Sequence, residues 1–154
     1  MKSSFIDHLR IIEITHSNIE LILPLFAKYR LFYEVESNAK EEEIFLRNRI
    51  QNKESKIFVV MENQIAIGFT QLYPSFSSLS LKPVWILNDL YVEEEYRKQG
   101  VGKMLLDAAK DFAIETKSKG LTLTTAIQNT IAQSLYEKYG FIRNDHFYEY
   151  FLFF

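Results

Sequence analysis

Between Tyr96 and Leu106 the chain reads Tyr-Arg-Lys-Gln-Gly-Val-Gly-Lys-Met-Leu-Leu. Gly100 and Gly102 mark the passage from an apolar stretch, Val84 to Val92, into a helix-patterned one, and Arg97, Lys98 and Lys103 stand beside them. Glycine lets the backbone come close to a ligand and adopt positive φ. The first amides of a helix have no internal acceptor and carry the positive end of its dipole. With cations alongside, this is chemistry for holding a phosphate. Two well-known loops do not fit. A Walker loop needs Ser or Thr after its Lys, and Met104 follows Lys103. A dinucleotide fingerprint needs a third Gly where Leu105 stands, and an acid roughly 20 residues on; there the chain has Leu121-Thr122-Leu123-Thr124. What remains is Arg97-x-x-Gly100-x-Gly102. Asn88 and Asp89 are the second chemical feature. Two polar side chains within an apolar strand cost free energy unless paired, so they are either functional or satisfied structural groups.

The elements that must position these groups follow from periodicity and punctuation. Leu9 to Thr15 reads as a strand, and Ser17 with Glu20 as a capping box. The box opens a helix with Ile19, Ile22, Leu23 and Phe26 on one face, which Pro24 should bend or shorten. Tyr29 to Ser37 is aromatic and acidic together; Asn38 then caps a second, surface helix running to about Asn52. Lys56 to Met61 and Ile65 to Tyr73 form a hairpin, with Gly68 signalling a bulge or a close approach. Pro74 to Leu81 reads as a Ser-rich loop, and Val84 to Val92 as a central strand buried on both faces. A helix carrying Val101, Met104, Leu105, Ala108, Ala109, Phe112 and Ala113 stops near Gly120, and Leu121 to Ile127 is a strand. Asn129 caps a last helix that Gly140 ends, and Phe141 to Arg143 and Phe147 to Phe154 close the chain as strands. The expected architecture is one mixed α/β domain over residues 1–154, with a mixed, mostly antiparallel sheet of about seven strands flanked by four helices.

Composition narrows the function classes. A chain of 154 residues that is 47% hydrophobic can bury a core as one domain. A net charge of −2 with scattered basic pairs argues against a nucleic-acid partner. Without cysteine there is no disulfide, zinc thiolate or thiol nucleophile. His8, His16 and His146 are far apart and show no metal spacing. No apolar run reaches the ~18 residues of a membrane span, and Asp7 falls where a signal peptide would have its apolar core. The expectation is a soluble, cytoplasmic protein with neither a membrane nor a metal.

The loop resembles the R/Q-x-x-G-x-G/A segment of the GNAT superfamily, the acyl-CoA-dependent N-acetyltransferases. Asn129-Thr130-Ile131-Ala132-Gln133-Ser134-Leu135-Tyr136-Glu137-Lys138-Tyr139-Gly140-Phe141 is similar to that family's N-x-x-A-x-x-L-Y-x-x-x-G-F signature. The order of elements matches the GNAT order from about residue 10 onward.

The resemblance implies an enzyme that moves an acetyl group from acetyl-CoA to a primary amine, directly, in a ternary complex. The pyrophosphate would rest on the loop Arg97, Lys98, Gln99, Gly100, Val101, Gly102 and Lys103. The backbone of Leu90, Tyr91 and Val92 would pair with the pantetheine arm like an added strand, and an amide near Leu90 or Tyr91 would polarise the acetyl carbonyl. Tyr136 would protonate the departing thiolate, and Asn129 would bond the cofactor as well as cap its helix. Relatives often place a Glu on the central strand as the base, but Asn88 stands at the matching position. Asp89 is the candidate base, although strand alternation should aim it at the opposite face from Asn88; Glu34, Glu36 or an ordered water are alternatives. Tyr33, Glu34, Gln71, Tyr73 and Asn88 would line the acceptor side, and that acidic, aromatic setting favours a small cationic amine. A protein or peptide N-acetyltransferase, or a non-catalytic acyl-CoA-binding module, is the alternative. The aromatic tail Phe147 to Phe154 is expected to be covered by a second subunit in a homodimer.

Overall fold

A computed structural model describes residues 8–154; Met1–Asp7, whose acid bears on the signal-peptide reading, lie outside them. The described chain divides into two units, ending and beginning at Thr124 and Thr125.

The first unit is built on a five-stranded sheet in the order β1 (Leu9–Glu13), β2 (Lys56–Glu62), β3 (Ile65–Ser77), β4 (Lys82–Val92), β5 (Leu121–Thr122). The first four strands pair antiparallel, and β5 runs parallel to β4. Helices cover both faces. Ile57, Val59 and Met61 of β2 and Phe69 of β3 pack with Leu25 and Phe26 of α1 (Leu23–Phe32) and Leu46 of α2 (Ala39–Gln51). On the other face Val60 and Ile67 meet Val101 and Leu105 of α3 (Val101–Glu115). The alternation of Ile57, Val59 and Met61 against Val60 is what a strand between two helical layers requires.

Local chemistry explains where the elements begin. Pro24 falls in the first turn of α1, where a missing N–H costs nothing, so the helix is shortened and a 3-10 turn, Ile19–Leu21, precedes it. Asn18 rather than Ser17 takes the cap position of that turn, with its Oδ1 accepting from the Thr15 amide at 2.7 Å. Asn38 caps α2 as expected, its Oδ1 accepting from Glu41 N at 3.2 Å. The stretch Pro74 to Ser77 is strand, not loop: β2 pairs with β3 only as far as Leu72, so Pro74 has no β2 partner that its missing N–H would fail.

Two bulges shape the sheet. Val60 pairs with Gly68 and Met61 with Ala66, leaving Ile67 as the extra residue. A Cβ on Gly68 would lie 3.0 Å from Val101 Cγ1 and 3.2 Å from the Tyr91 carbonyl oxygen, so the glycine lets α3 approach the sheet. Opposite Gln71 and Leu72, β4 contributes Asp89 and Leu87, leaving Asn88 as its extra residue. β4 is also less enclosed than its apolar run suggests: of its residues only Leu87 and Asp89 are buried.

The second unit holds α4 (Thr130–Tyr139), capped by Asn129 Oδ1 on Ala132 N at 3.2 Å and ended by Gly140 at φ 117°. The expected strands at 141–143 and 147–154 are absent, and the strand expected to reach Ile127 pairs only at Leu121 and Thr122. The described sheet therefore has five strands rather than about seven. β-favouring residues make a strand only where a neighbour supplies a ladder, and residues 142–154 are exposed with none.

Candidate active site

The glycine loop has the geometry its sequence foretells. Lys98 and Gly100 lie in the left-handed region, at φ 59° and 89°, and α3 starts on the next residue. The helix ladder begins with the Met104 amide on the Gly100 carbonyl at 3.0 Å. The amides of Gly100, Val101, Gly102 and Lys103 thus precede the first internal bond and point out of the helix. No carboxylate caps this end of α3. Such a cradle fits a pyrophosphate by donor set and by dipole.

The flanking polar side chains divide by role. Arg97 is fixed: its Nε donates to the Val92 carbonyl at 2.9 Å, and its guanidinium lies 5.7 Å from the Phe32 and Tyr91 ring centres. Gln99 Nε2 donates to the Glu95 carbonyl at 2.8 Å. Lys103 pairs with Asp107 one turn on, at 2.7 Å, and both are well exposed. Lys98 is exposed. Beyond Ile86 the edge of β4 away from β3 has no strand partner among the described residues, so one side of Leu90, Tyr91 and Val92 is open to an extended ligand.

A cleft of about 550 Å³ lies beside β4, walled by the aromatic rings of Phe26, Tyr29, Tyr33, Phe45 and Tyr73. Both Asn88 and Asp89 line it. Strict alternation would have put them on opposite faces; the bulge at Asn88 brings them to the same side, and Asn88 Nδ2 donates to Asp89 Oδ1 at 2.8 Å. Asp89 is only 3% exposed. Its carboxylate accepts two further bonds, from Tyr29 Oη at 2.7 Å and from Gln71 Nε2 at 2.5 Å. Gln71 is itself wholly buried and held by Ser55, whose hydroxyl donates to Gln71 Oε1 at 2.8 Å. Gln71 therefore stands behind Asp89 rather than in the cleft wall. Glu34, exposed and at φ 59°, is also outside the lining. The carboxylates of the wall are Asp89, Glu41 and Glu42.

Burial first, and then the Asp89 charge, push the phenols of Tyr29 and Tyr73 well above their ordinary range, so both remain protonated donors at neutral pH. Glu42 is buried but neutralised, accepting from Arg30 Nη1 at 2.8 Å, from Ser37 Oγ and from Asn38 N. Asp89 has no such partner: among the described residues no Lys or Arg forms an ion pair with it.

In the second unit Tyr136 is half-buried on α4 with its ring edge-on to Phe141, centroids 5.7 Å apart. The turn that seats Phe141 is made by the Gly140 and Phe141 amides, both bonding the Tyr136 carbonyl. Asn129 spends its oxygen on the cap.

Tyr29, Phe26 and Phe45 are cleft residues that sequence reading assigned no site role. Phe26, Tyr29 and Tyr33 recur at helical spacing, which reads as a core face; only the buried carboxylate opposite, 60 residues away in the chain, turns Tyr29 into a site residue.

A loop of unbonded helix-leading amides, an open strand edge and an aromatic cleft with a buried carboxylate thus lie in one unit. The sequence model of the Acetyltransferase (GNAT) family matches residues 22–141, and the chain belongs to that family. It is 47% identical over 134 residues to "Uncharacterized N-acetyltransferase YhfO" of Bacillus subtilis (strain 168), covering 87% of this chain and 90% of that one. The crystal structure of a probable acetyltransferase, 45% identical, superposes with a TM-score of 0.89 over 94% of this chain and 97% of that one. An aminoglycoside N-acetyltransferase in complex with CoA shares the fold at a TM-score of 0.80 and 20% identity, over 94% and 95% of the two chains. The activity of the family is acetyl-CoA-dependent N-acetylation. No helix among the described residues is long and apolar enough to cross a membrane.

Proposed function

We propose that this enzyme acetylates the primary amine of a small cationic molecule, by direct transfer from acetyl-CoA in a ternary complex. One observation carries the choice of acceptor. Asp89 is a buried carboxylate on the cleft wall, bonded by three neutral donors and by no cation. A buried charge left without a counter-charge is costly, and here the ligand would supply it. A carboxylate offers about four acceptor positions; with three filled, one remains for an ammonium N–H. The aromatic walls add cation–π attraction of ~0.5–2 kcal/mol. The structural neighbour in complex with CoA is named an aminoglycoside N-acetyltransferase, in keeping with this reading.

Acetyl-CoA, when bound, supplies the thioester whose acyl carbon the amine attacks. The chain's own groups do the rest. The four leading amides of α3 hold the pyrophosphate, with Arg97 bracing the loop through Val92. Backbone groups of Leu90, Tyr91 and Val92 bond the pantetheine arm, and an amide at Leu90 or Tyr91 polarises the acyl oxygen. Asp89 attracts the ammonium and takes a proton from it, directly or through water; Tyr136 gives a proton to the sulfur that leaves. Tyr33, Tyr73 and Asn88 contact the acceptor, Gln71 supports Asp89 from behind, and Glu34 adds negative charge at the mouth. Asn129 keeps Nδ2 for the cofactor while its oxygen caps α4. The chain works as one N-acetyltransferase domain, cytoplasmic, and as a homodimer through its aromatic tail.

Thiol release measured over a panel of cationic, neutral and anionic amines tests the proposal. Cationic amines should give the highest kcat/KM, and Asp89→Asn should lower it roughly hundredfold, the usual loss when one side of a buried charge pair is removed. Preference for an anionic amine, or for a peptide N-terminus, would overturn the acceptor class.

A further inference from the structure

We infer that Tyr29 is a positioning residue for the acceptor amine: its hydroxyl fixes the Asp89 carboxylate on the cleft wall. The inference rests on the acceptor reading just given.

Two layers of the fold hold the Asp89 carboxylate. Gln71 on β3 bonds Oδ2, and Asn88, its neighbour in the bulge, bonds Oδ1. Both ties come from the sheet. Tyr29 is the tie from the helical layer, 2.7 Å from Oδ1. The sheet gives each oxygen one bond, and the terminal torsion of an Asp has broad wells, so two bonds from one layer leave it some play. A third donor, from the helical layer, narrows that play.

Tyr29 is itself immobilised. Its ring stacks 6.1 Å from Phe26 and stands edge-on to Tyr33, Phe69 and Tyr91 at 5.1, 5.5 and 6.4 Å. Phe69 anchors it to the core, being wholly buried. Tyr91 lies on the β4 segment open to an extended ligand. One ring thereby links the carboxylate that meets the ammonium to the strand beside which the acyl group would lie. Effective transfer demands that nucleophile and acyl carbon approach within ~3–3.5 Å in line, and misplacement by about 1 Å can cost about a hundredfold. That is the demand a fixed Asp89 serves.

The charged and titratable groups that line the cleft with Asp89 are Tyr29, Arg30 and Tyr33 of α1, Glu41 and Glu42 of α2, and Tyr73 of β3; Arg49 of α2, paired with Glu54, acts electrostatically on Tyr73. Arg30 is engaged by Glu42, and Tyr73 has no hydrogen-bond partner among the described residues, so Tyr29 is the one ionisable group bonded to Asp89.

The test uses the full chain with acetyl-CoA and its best amine, comparing wild type, Tyr29→Phe and Asp89→Asn. Phenylalanine keeps the ring and its four aromatic contacts and removes only the hydroxyl. Tyr29→Phe should keep the melting temperature within a few degrees and leave the acetyl-CoA-induced thermal shift unchanged. KM for the amine should change less than about threefold, because the charge stays, while kcat falls roughly 10- to 100-fold. Wild-type kcat would overturn the positioning role, and so would a kcat loss accompanied by lower melting temperature and weakened acetyl-CoA binding. If Tyr29→Phe behaves as wild type while Asp89→Asn is impaired, the inference alone fails. If Asp89→Asn keeps full activity, the acceptor reading fails and takes the inference with it.

Discussion

In water a phenol holds its proton to about pH 10 and a thiol to about 8.5, so passing a proton from tyrosine to a thiolate costs about 2 kcal/mol. That gap is small beside the cost of expelling an unprotonated thiolate. Tyr136 is suited to the task by its chemistry and by its place in the Asn129–Phe141 signature; its observed surroundings are a helix face and the Phe141 ring. Packing and catalysis make different demands on it. A packing tyrosine keeps its ring contact with Phe141 when its hydroxyl is lost. A general acid does not. Tyr136→Phe is expected to lower kcat by ~10²–10⁴-fold with little change in acetyl-CoA affinity, measured by steady-state thiol release and by thermal shift. Equal kcat in the two proteins would leave Tyr136 a packing residue. At the same scale Asp89 is the more exacting group, because its energy depends on a charge that its own neighbours do not supply.

At the scale of elements, the β4–loop–α3 unit offers a ligand main-chain groups, so on the proposed reading its sequence requirement is space rather than side-chain chemistry. Gly102 lies in the first turn of α3, in the row of amides that precede the Met104 bond. A branched side chain there would crowd whatever those amides hold. Wild type should gain melting temperature with acetyl-CoA, the stabilisation reaching ~2.7 kcal/mol at a hundredfold excess over Kd. Gly102→Val should fold and lose that gain; a folded variant with an undiminished shift would remove the loop from the cofactor site. This unit was legible in the sequence because its signals are local: two glycines, a helix start and flanking cations within one turn of chain. The caps at Asn38 and Asn129 were legible for the same reason. The cleft was legible only in part. Tyr33, Tyr73, Asn88 and Asp89 do line it, yet the alternation rule separated Asn88 from Asp89 because a bulge is a mismatch between two strands and leaves no mark on either alone. Tyr29 stayed hidden because its partner is distant in sequence. The closing strands were over-read, since β-propensity speaks for a residue's preference and not for the presence of a neighbour.

For the molecule as a whole, the C-terminal segment poses the largest energetic question. Phe147, Tyr148, Tyr150, Phe151, Leu152, Phe153 and Phe154 are each at least 76% exposed. Ile131 of α4 and Ile142 add to the apolar surface, and α4 has no buried residue. Fully burying one side chain of this size is worth ~1.5–3 kcal/mol, so seven of them in water forgo on the order of 10 kcal/mol, comparable to the whole stability of a domain. So many exposed apolar side chains within one short segment mark an interface or an aggregation hazard. The alternating run Tyr148-Glu149-Tyr150 and the absence of proline suit the segment to strand addition. A second copy carries the same tail, so each chain can cover the other's in a closed two-fold pair, which satisfies both at once and leaves no open surface to propagate. Sedimentation equilibrium at micromolar concentration should therefore give a dimer, and removal of residues 147–154 should convert it to monomer. A full-length chain that sediments only as monomer would show that the tail is buried some other way.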